Sequence, residues 1–482
     1  MSNEADTCAV VVIHGIGEQR PTATLRGFVE GVLAEEKRAP KFFNKPDPLA
    51  ETYELRKLQN RRQPRVHFFE YYWAYKAEGT RIAHVFQWAR SLLLRRPNGD
   101  RVPPHLRYLF ALSWLTILMT ALAAFLGVGQ FFSSLGERLL SPILPTLIAI
   151  VTAVINLVLL GYLGDAARYL SASPTNIRMR QAIRSDGVKL MRSLHEKGYG
   201  RIVIVGHSLG SVIAFDLLRQ IWAEYCDTYS RPCRTSQPAL AEVERLGQDL
   251  DKTRSELERA KRGSPEYVAL EEELHAKCTA FQNGQAELWR ELRDLGSPWR
   301  VTDFITLGSP LAHAAVLMAD DVPDLRRRQQ ERELPTCPPA IDKTKAGAVT
   351  YAYEWYEFTH QDVNGDYRLR WLHSAAVFAC TRWTNIYFPA RLGVFGDLVG
   401  GPLRSVFGSG VFDRWVADPD GGIAAHTLLA HVRYWRTPKR SATCANSALD
   451  VLRKALALND LSFYHKKQSE VEPPELFQAV DI

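Results

Sequence analysis

Gly206-His207-Ser208-Leu209-Gly210 places one serine between two glycines. A serine hydroxyl holds its proton far above neutral pH. It attacks only beside an imidazole that takes the proton, and that imidazole needs a carboxylate to fix its tautomer and stabilise its charge. The chemistry that could start here is nucleophilic attack by Ser208 on a carbonyl. The pentapeptide gains its content from its flanks. Residues 202–205 are Ile-Val-Ile-Val, the composition of a strand buried on both faces of a parallel sheet. Val212, Ile213, Phe215, Leu217 and Leu218 follow as an apolar helical pattern. A sharp turn between strand and helix exposes the Ser208 hydroxyl, and Gly206 and Gly210 allow an approach that a Cβ would block. A glycine-rich turn with no role would leave the apical serine without a reason.

Residues 8–13, CAVVVI, form a second buried-strand pattern, and they run directly into His14-Gly15-Ile16-Gly17-Glu18-Gln19. A Rossmann-type phosphate turn needs GxGxxG, which is absent. HGIGEQR after an N-terminal strand, with GHSLG later, resembles the α/β-hydrolase superfamily. Within it the similarity is to the lipase and esterase branch that includes the GPI inositol deacylase-like proteins. The resemblance implies a mostly parallel sheet with helices on both faces, starting at the HG-bearing strand and lacking the first two strands of the full fold. It also implies an oxyanion hole made by the N–H groups of Ile16 (Gly17 being the alternative) and Leu209.

In this fold the order along the chain is serine, acid, histidine, so acid and base both follow Ser208. Asp397 in Gly396-Asp397-Leu398-Val399-Gly400-Gly401-Pro402 resembles the acid loop of lipase-like relatives; Asp413, Asp418 and Asp420 are its rivals. His431 in Ala430-His431-Val432-Arg433-Tyr434-Trp435 resembles the end of such hydrolases, and His426 is the competitor. His360 and His373 precede Asp397 and are disfavoured by order. His313, after Gly308-Ser309-Pro310, reads as structural or pocket-lining. The set Ser208, His431 and Asp397 needs neither metal nor organic cofactor.

Composition narrows the alternatives. Hydrophobic content of 46% and charged content of 23% in 482 residues fit one large domain with insertions or several domains. The net charge of +7 is scattered, without a basic stripe interleaved with aromatics, which argues against nucleic acid as a partner. Seven cysteines without CxxC pairs point to reduced thiols. The acidic, polar start MSNEADTCAV is no signal peptide.

Along the chain, residues 22–37 and 80–94 read as helices, and 65–72, 299–308 and 382–388 as strands. Residues 108–132 and 139–163 contain no charged residue, and each is long enough to span a bilayer. Arg95, Arg96, Arg101 and Arg107 precede them and Arg168, Arg178, Arg180 and Arg184 follow, so both ends are expected on the cytoplasmic side. Residues 237–297 carry a heptad-like spacing broken at Gly263-Ser264-Pro265, which predicts an antiparallel helical hairpin projecting from the sheet. That hairpin is either a solvated arm or a surface for a protein partner or self-association.

The expected organisation is a hydrolase core over 1–100 with the oxyanion turn, a transmembrane hairpin over 101–167, and core with the nucleophile elbow over 168–236. The helical hairpin over 237–297 and the C-terminal core over 298–482, with a cap-like segment at 311–380, complete it. The expected protein is an integral membrane serine hydrolase with its catalytic portion on the cytoplasmic side. It would cleave carboxylic esters at the bilayer, with acyl lipids the favoured class. An amidase, thioesterase or acyltransferase on the same triad, or a non-catalytic membrane scaffold using the helical arm, are the competing expectations.

Overall fold

The computed structural model describes residues 6–15, 20–34, 42–49, 54–60, 64–77, 118, 169, 174–226, 237–343, 349–352, 358–362, 365–389, 396–397, 399–418, 420–421, 428–438 and 446–463. An eight-stranded sheet organises them. Its strands are β1 (Thr7–Ile13), β2 (Phe42–Pro46), β3 (Arg56–Asn60), β4 (Arg65–Tyr71), β5 (Arg201–His207), β6 (Val301–Leu307), β11 (Arg382–Tyr387) and β12 (Phe412–Trp415). The intervening strands β7 (Asp342–Lys343), β8 (Val349–Thr350), β9 (Phe358–Asp362) and β10 (Gly365–Leu369) form two small antiparallel pairs apart from it. The order across the sheet is β12-β11-β6-β5-β1-β4-β3-β2. All pairings from β12 to β4 are parallel, and only β3 runs against its neighbours β4 and β2. The protein is thus an α/β protein with a mixed, mostly parallel sheet. The edge beyond β4 is built by β3 and β2, drawn from the chain between β1 and β4.

The unbroken apolar runs have a direct cause. Along β1, Ala9, Val11 and Ile13 face one core, shared with the helices Pro174–Glu196 and Leu209–Tyr225. Cys8, Val10 and Val12 face the other, under the helices Ala23–Leu33 and Ala448–Leu456. A strand covered on both faces leaves no solvent side for polar residues. β2 and β3 went unread because they lie at and next to the edge, where β2 is mostly exposed and carries Lys45 and Pro46. β12 is four residues long and half-exposed.

The helices Pro238–Arg259 and Pro265–Asp294 pack on each other across the turn at Ser264, whose Oγ accepts from the Tyr267 N–H at 3.1 Å. Their ends around the Ser264 turn are exposed, and their opposite ends are buried. Leu240, Val243, Leu250, Leu274, Phe281, Leu288 and Trp289 lie in the main core, while Leu246, Leu257, Tyr267 and Leu270 of the heptad-like stripe are partly buried.

The transmembrane expectation is corrected. Among the described residues no helix is long and apolar enough to cross a membrane. Residues 108–132 and 139–163, which carried the expectation, lie outside the described residues apart from Leu118, as does the expected helix over 80–94. A helical span needs about 20 consecutive apolar residues in one helix, and no helix among the described residues meets that. The reading of an integral membrane protein with two transmembrane helices and a cytoplasmic catalytic portion falls with it.

Candidate active site

β5 ends at His207 and the helix Leu209–Tyr225 begins at once, leaving Ser208 alone to make the turn. Its backbone sits at φ 52° and ψ −130°. A side-chain-bearing residue at such a φ is strained, and surrounding structure has to hold it there. The Ser208 N–H donates to the Leu307 carbonyl at the end of β6 (2.9 Å). Its own carbonyl accepts from the Ser211 N–H (2.9 Å) and from Ser211 Oγ (2.6 Å). Ser211 Oγ also lies 2.6 Å from Ser309 Oγ, and Ser309 Oγ accepts from the Leu311 N–H at 3.2 Å. Since Ser211 spends its proton on the Ser208 carbonyl, Ser309 must donate to Ser211. The hydroxyl chain therefore runs in one direction, from the Gly308-Ser309-Pro310 turn into the elbow. A Cβ on Gly206 would overlap Ser211 Cα, and one on Gly210 the Ile13 carbonyl.

His14 and Gly15 follow β1, the neighbour of β5. A Cβ on Gly15 would lie 2.8 Å from Ser208 Cβ and 3.1 Å from His207 Nδ1, so this turn meets the elbow directly. His14 is held by Trp73, whose indole N–H donates to the His14 carbonyl at 2.9 Å and whose ring stacks on the imidazole. Burial holds the His14 imidazole down at about 4, hence neutral. Ile16 and Gly17, the expected oxyanion donors of this turn, lie outside the described residues. Leu209 is buried as the first residue of its helix, and its N–H is among the four that an α-helix leaves without an intrahelical partner.

Asp397 and His431 are brought together. His431 Nδ1 donates to Asp397 Oδ2 at 2.9 Å, and the Tyr434 hydroxyl donates to the same oxygen at 2.6 Å. The other oxygen, Oδ1, accepts from the N–H groups of Val399 (2.9 Å) and Gly400 (3.0 Å). Burial works against the Asp397 charge, but His431, Tyr434 and the Gly400 amide overcome it and hold the carboxyl down at about 2. Gly308 is where this group meets the elbow. It follows Leu307, the partner of Ser208, and has φ +54°. A Cβ there would stand 2.6 Å from Asp397 Oδ2, 2.8 Å from Tyr434 Cε2 and 2.9 Å from His431 Nδ1.

His207 ties His431 to the elbow. Its Nε2 donates to the His431 carbonyl at 2.8 Å, and the two rings lie 4.9 Å apart. Burial, then the neighbouring His431, holds His207 down at about 3, so it stays neutral.

The rivals are engaged elsewhere. Asp413 accepts from Asn385 and from the N–H groups of Leu403 and Arg404. Asp418 and Asp420 face Arg433. His373 bonds the Ala340 carbonyl and the Ala375 N–H. His313 is buried at the end of the turn Pro310–His313. His426 lies outside the described residues, and so does the side chain of His360. Sequence reasoning assigned nothing to Tyr434, Ser211, Ser309 or Gly308. The GSP and YW letters were in view, but hydroxyls and a glycine carry no signal until the fold supplies their partners.

Compared with known proteins, the chain matches no family model, no curated protein and no solved structure.

Proposed function

We propose that this protein is a serine hydrolase of the α/β-hydrolase fold that cleaves carboxylic esters through an acyl-enzyme intermediate. Ser208 Oγ attacks the ester carbonyl carbon while His431 takes the hydroxyl proton, and the carbonyl π electrons move onto oxygen. The N–H of Leu209, with that of Ile16 as the motif resemblance implies, receives the oxyanion. The tetrahedral intermediate expels the alcohol, which leaves with the proton from His431. Water then attacks the acyl-serine by the same proton path, releasing the acid and restoring Ser208. Asp397 keeps His431 in the Nδ1–H tautomer and stabilises the imidazolium.

The observation that carries the reading is the meeting at Gly308 of a strained serine elbow and a buried Asp397–His431 pair. The mostly parallel sheet, with Ser208 after one of its central strands, agrees with it. Acyl lipids were favoured partly for a membrane hairpin, and with that support gone the proposal stops at carboxylic esters.

The test is intact-mass and peptide mass spectrometry after brief exposure to a p-nitrophenyl short-chain ester. An acyl adduct on the peptide bearing Ser208, absent in Ser208→Ala, is expected. Ester turnover that persists in Ser208→Ala would refute the assignment.

A further inference from the structure

We propose that Tyr434 is a positioning residue of this site, whose hydroxyl shares Asp397 Oδ2 with His431 and so limits the negative charge that Asp397 presents to the imidazole. The role rests on the triad reading above.

Four donors converge on Asp397, which is fully buried: two amides on Oδ1, and His431 and Tyr434 together on Oδ2. The amides come from the acid's own turn and fix its plane. The two on Oδ2 compete, because each bond draws on the same oxygen's charge. The direction of the Tyr434 bond is settled by its surroundings. The Phe388 N–H donates to the Tyr434 oxygen at 3.2 Å, which leaves the phenolic proton for the carboxylate. Burial and then Asp397 push the phenol well above its ordinary range, so it remains a donor. Packing holds it: Tyr434 is fully buried, its ring 4.9 Å from that of Phe388 and 5.9 Å from that of His207.

Three other titratable groups near the pair, among the described residues, are kept from charging. His207 on the elbow and His14 behind it are held neutral by burial, and burial pushes the Tyr387 phenol up at the end of β11. Tyr434 is thus the neighbouring group that sets how strongly Asp397 pulls on the His431 proton. A tyrosine kept only to fill space would not need its hydroxyl aimed at the oxygen the base uses.

The test reads the His431–Asp397 bond without turnover. In the full chain labelled with ¹⁵N-histidine, the low-field Nδ1–H resonance of His431 is assigned by its loss in His431→Gln. In Tyr434→Phe the bond to Asp397 strengthens and the resonance moves to lower field. With 3-fluorotyrosine at position 434, whose hydroxyl is the stronger donor, it moves to higher field. A resonance unmoved by either replacement overturns the proposal. Should Tyr434→Phe not fold, the fluorinated residue decides alone. If Ser208 proves unreactive while the resonance moves, the hydrolase reading fails and the coupling of Tyr434 to His431 stands.

Discussion

His207 donates from Nε2 to the backbone carbonyl of His431 across 2.8 Å, although 224 residues separate them. The variable position of the Gly-x-Ser-x-Gly turn therefore holds the backbone of His431, while Asp397 holds its ring. Replacing His207 with leucine keeps apolar bulk but removes the donor. Turnover of a short-chain ester should fall roughly tenfold, the rate equivalent of about 1.4 kcal/mol, with KM little changed. His207→Gln restores a donor at similar reach and should recover most of the loss. Steady-state kinetics on the three proteins decide it, and a leucine variant at wild-type kcat would count against this anchor.

Gly308 admits no side chain. Its φ of +54° disfavours one, and a Cβ would stand 2.6 Å from Asp397 Oδ2. Gly308→Ala should lower stability by about 2 kcal/mol in urea titration and remove esterase activity even where the protein stays folded. An alanine variant as stable and active as wild type would mean that the acid and base do not sit where the structure puts them.

The chain Ser309–Ser211–Ser208 makes a separable claim. Ser309→Ala removes the hydroxyl that donates to Ser211 and leaves the sheet intact. The loss of this bond and of the one from the Leu311 N–H costs about 2 kcal/mol of stability. Acylation of Ser208 should slow severalfold, because the strained elbow relaxes. Equal acylation rates in a stopped-flow comparison would show that the chain does not hold the elbow.

Glu70 supplies a pH dependence. It is buried on β4 and accepts the Thr22 N–H at 2.5 Å. Burial pushes its carboxyl up to about 7, although the Thr22 and Leu25 amides pull the other way. The folded state then binds the proton more tightly than the unfolded chain, where a glutamate titrates near about 4.3. The protonated carboxyl's contribution is complete below that value and is lost as pH rises through about 7. Glu70→Gln keeps an acceptor for Thr22 and removes the titration. Its stability relative to wild type should rise by about 1–3 kcal/mol between about pH 5 and about pH 8. Urea midpoints of the two proteins that run parallel across this range would contradict it.

The sheet's centre was readable because burial on both faces forces unbroken apolar runs, as in Ile202–Val205 and Val10–Ile13. At residues 237–297 the helix pair was readable, but not how much of it is buried. A heptad-like stripe looks alike whether it only zips two helices together or also packs on a core, and here Phe281 and Trp289 are core. The runs at 108–132 and 139–163 were given a span on length, lack of charge and arginine flanks, and the described residues hold no such helix. At the site, Ser208, Asp397 and His431 were named from turn context and motif resemblance, and the structure places the last two in contact. Tyr434, Ser309 and Gly308 were not named. Their meaning lies in which atom they face, and that is set by strands β6 and β11 lying side by side.

The central claim is that Ser208 is activated by the Asp397–His431 pair. The most direct measurement is the rate of covalent labelling by a fluorophosphonate in wild type, Ser208→Ala and Asp397→Asn. Rapid labelling of wild type, none of Ser208→Ala, and labelling at least about a hundredfold slower in Asp397→Asn are predicted, since an amide holds the wrong tautomer of His431. A folded wild type that does not label, or an Asp397→Asn protein that labels as fast as wild type, would contradict it.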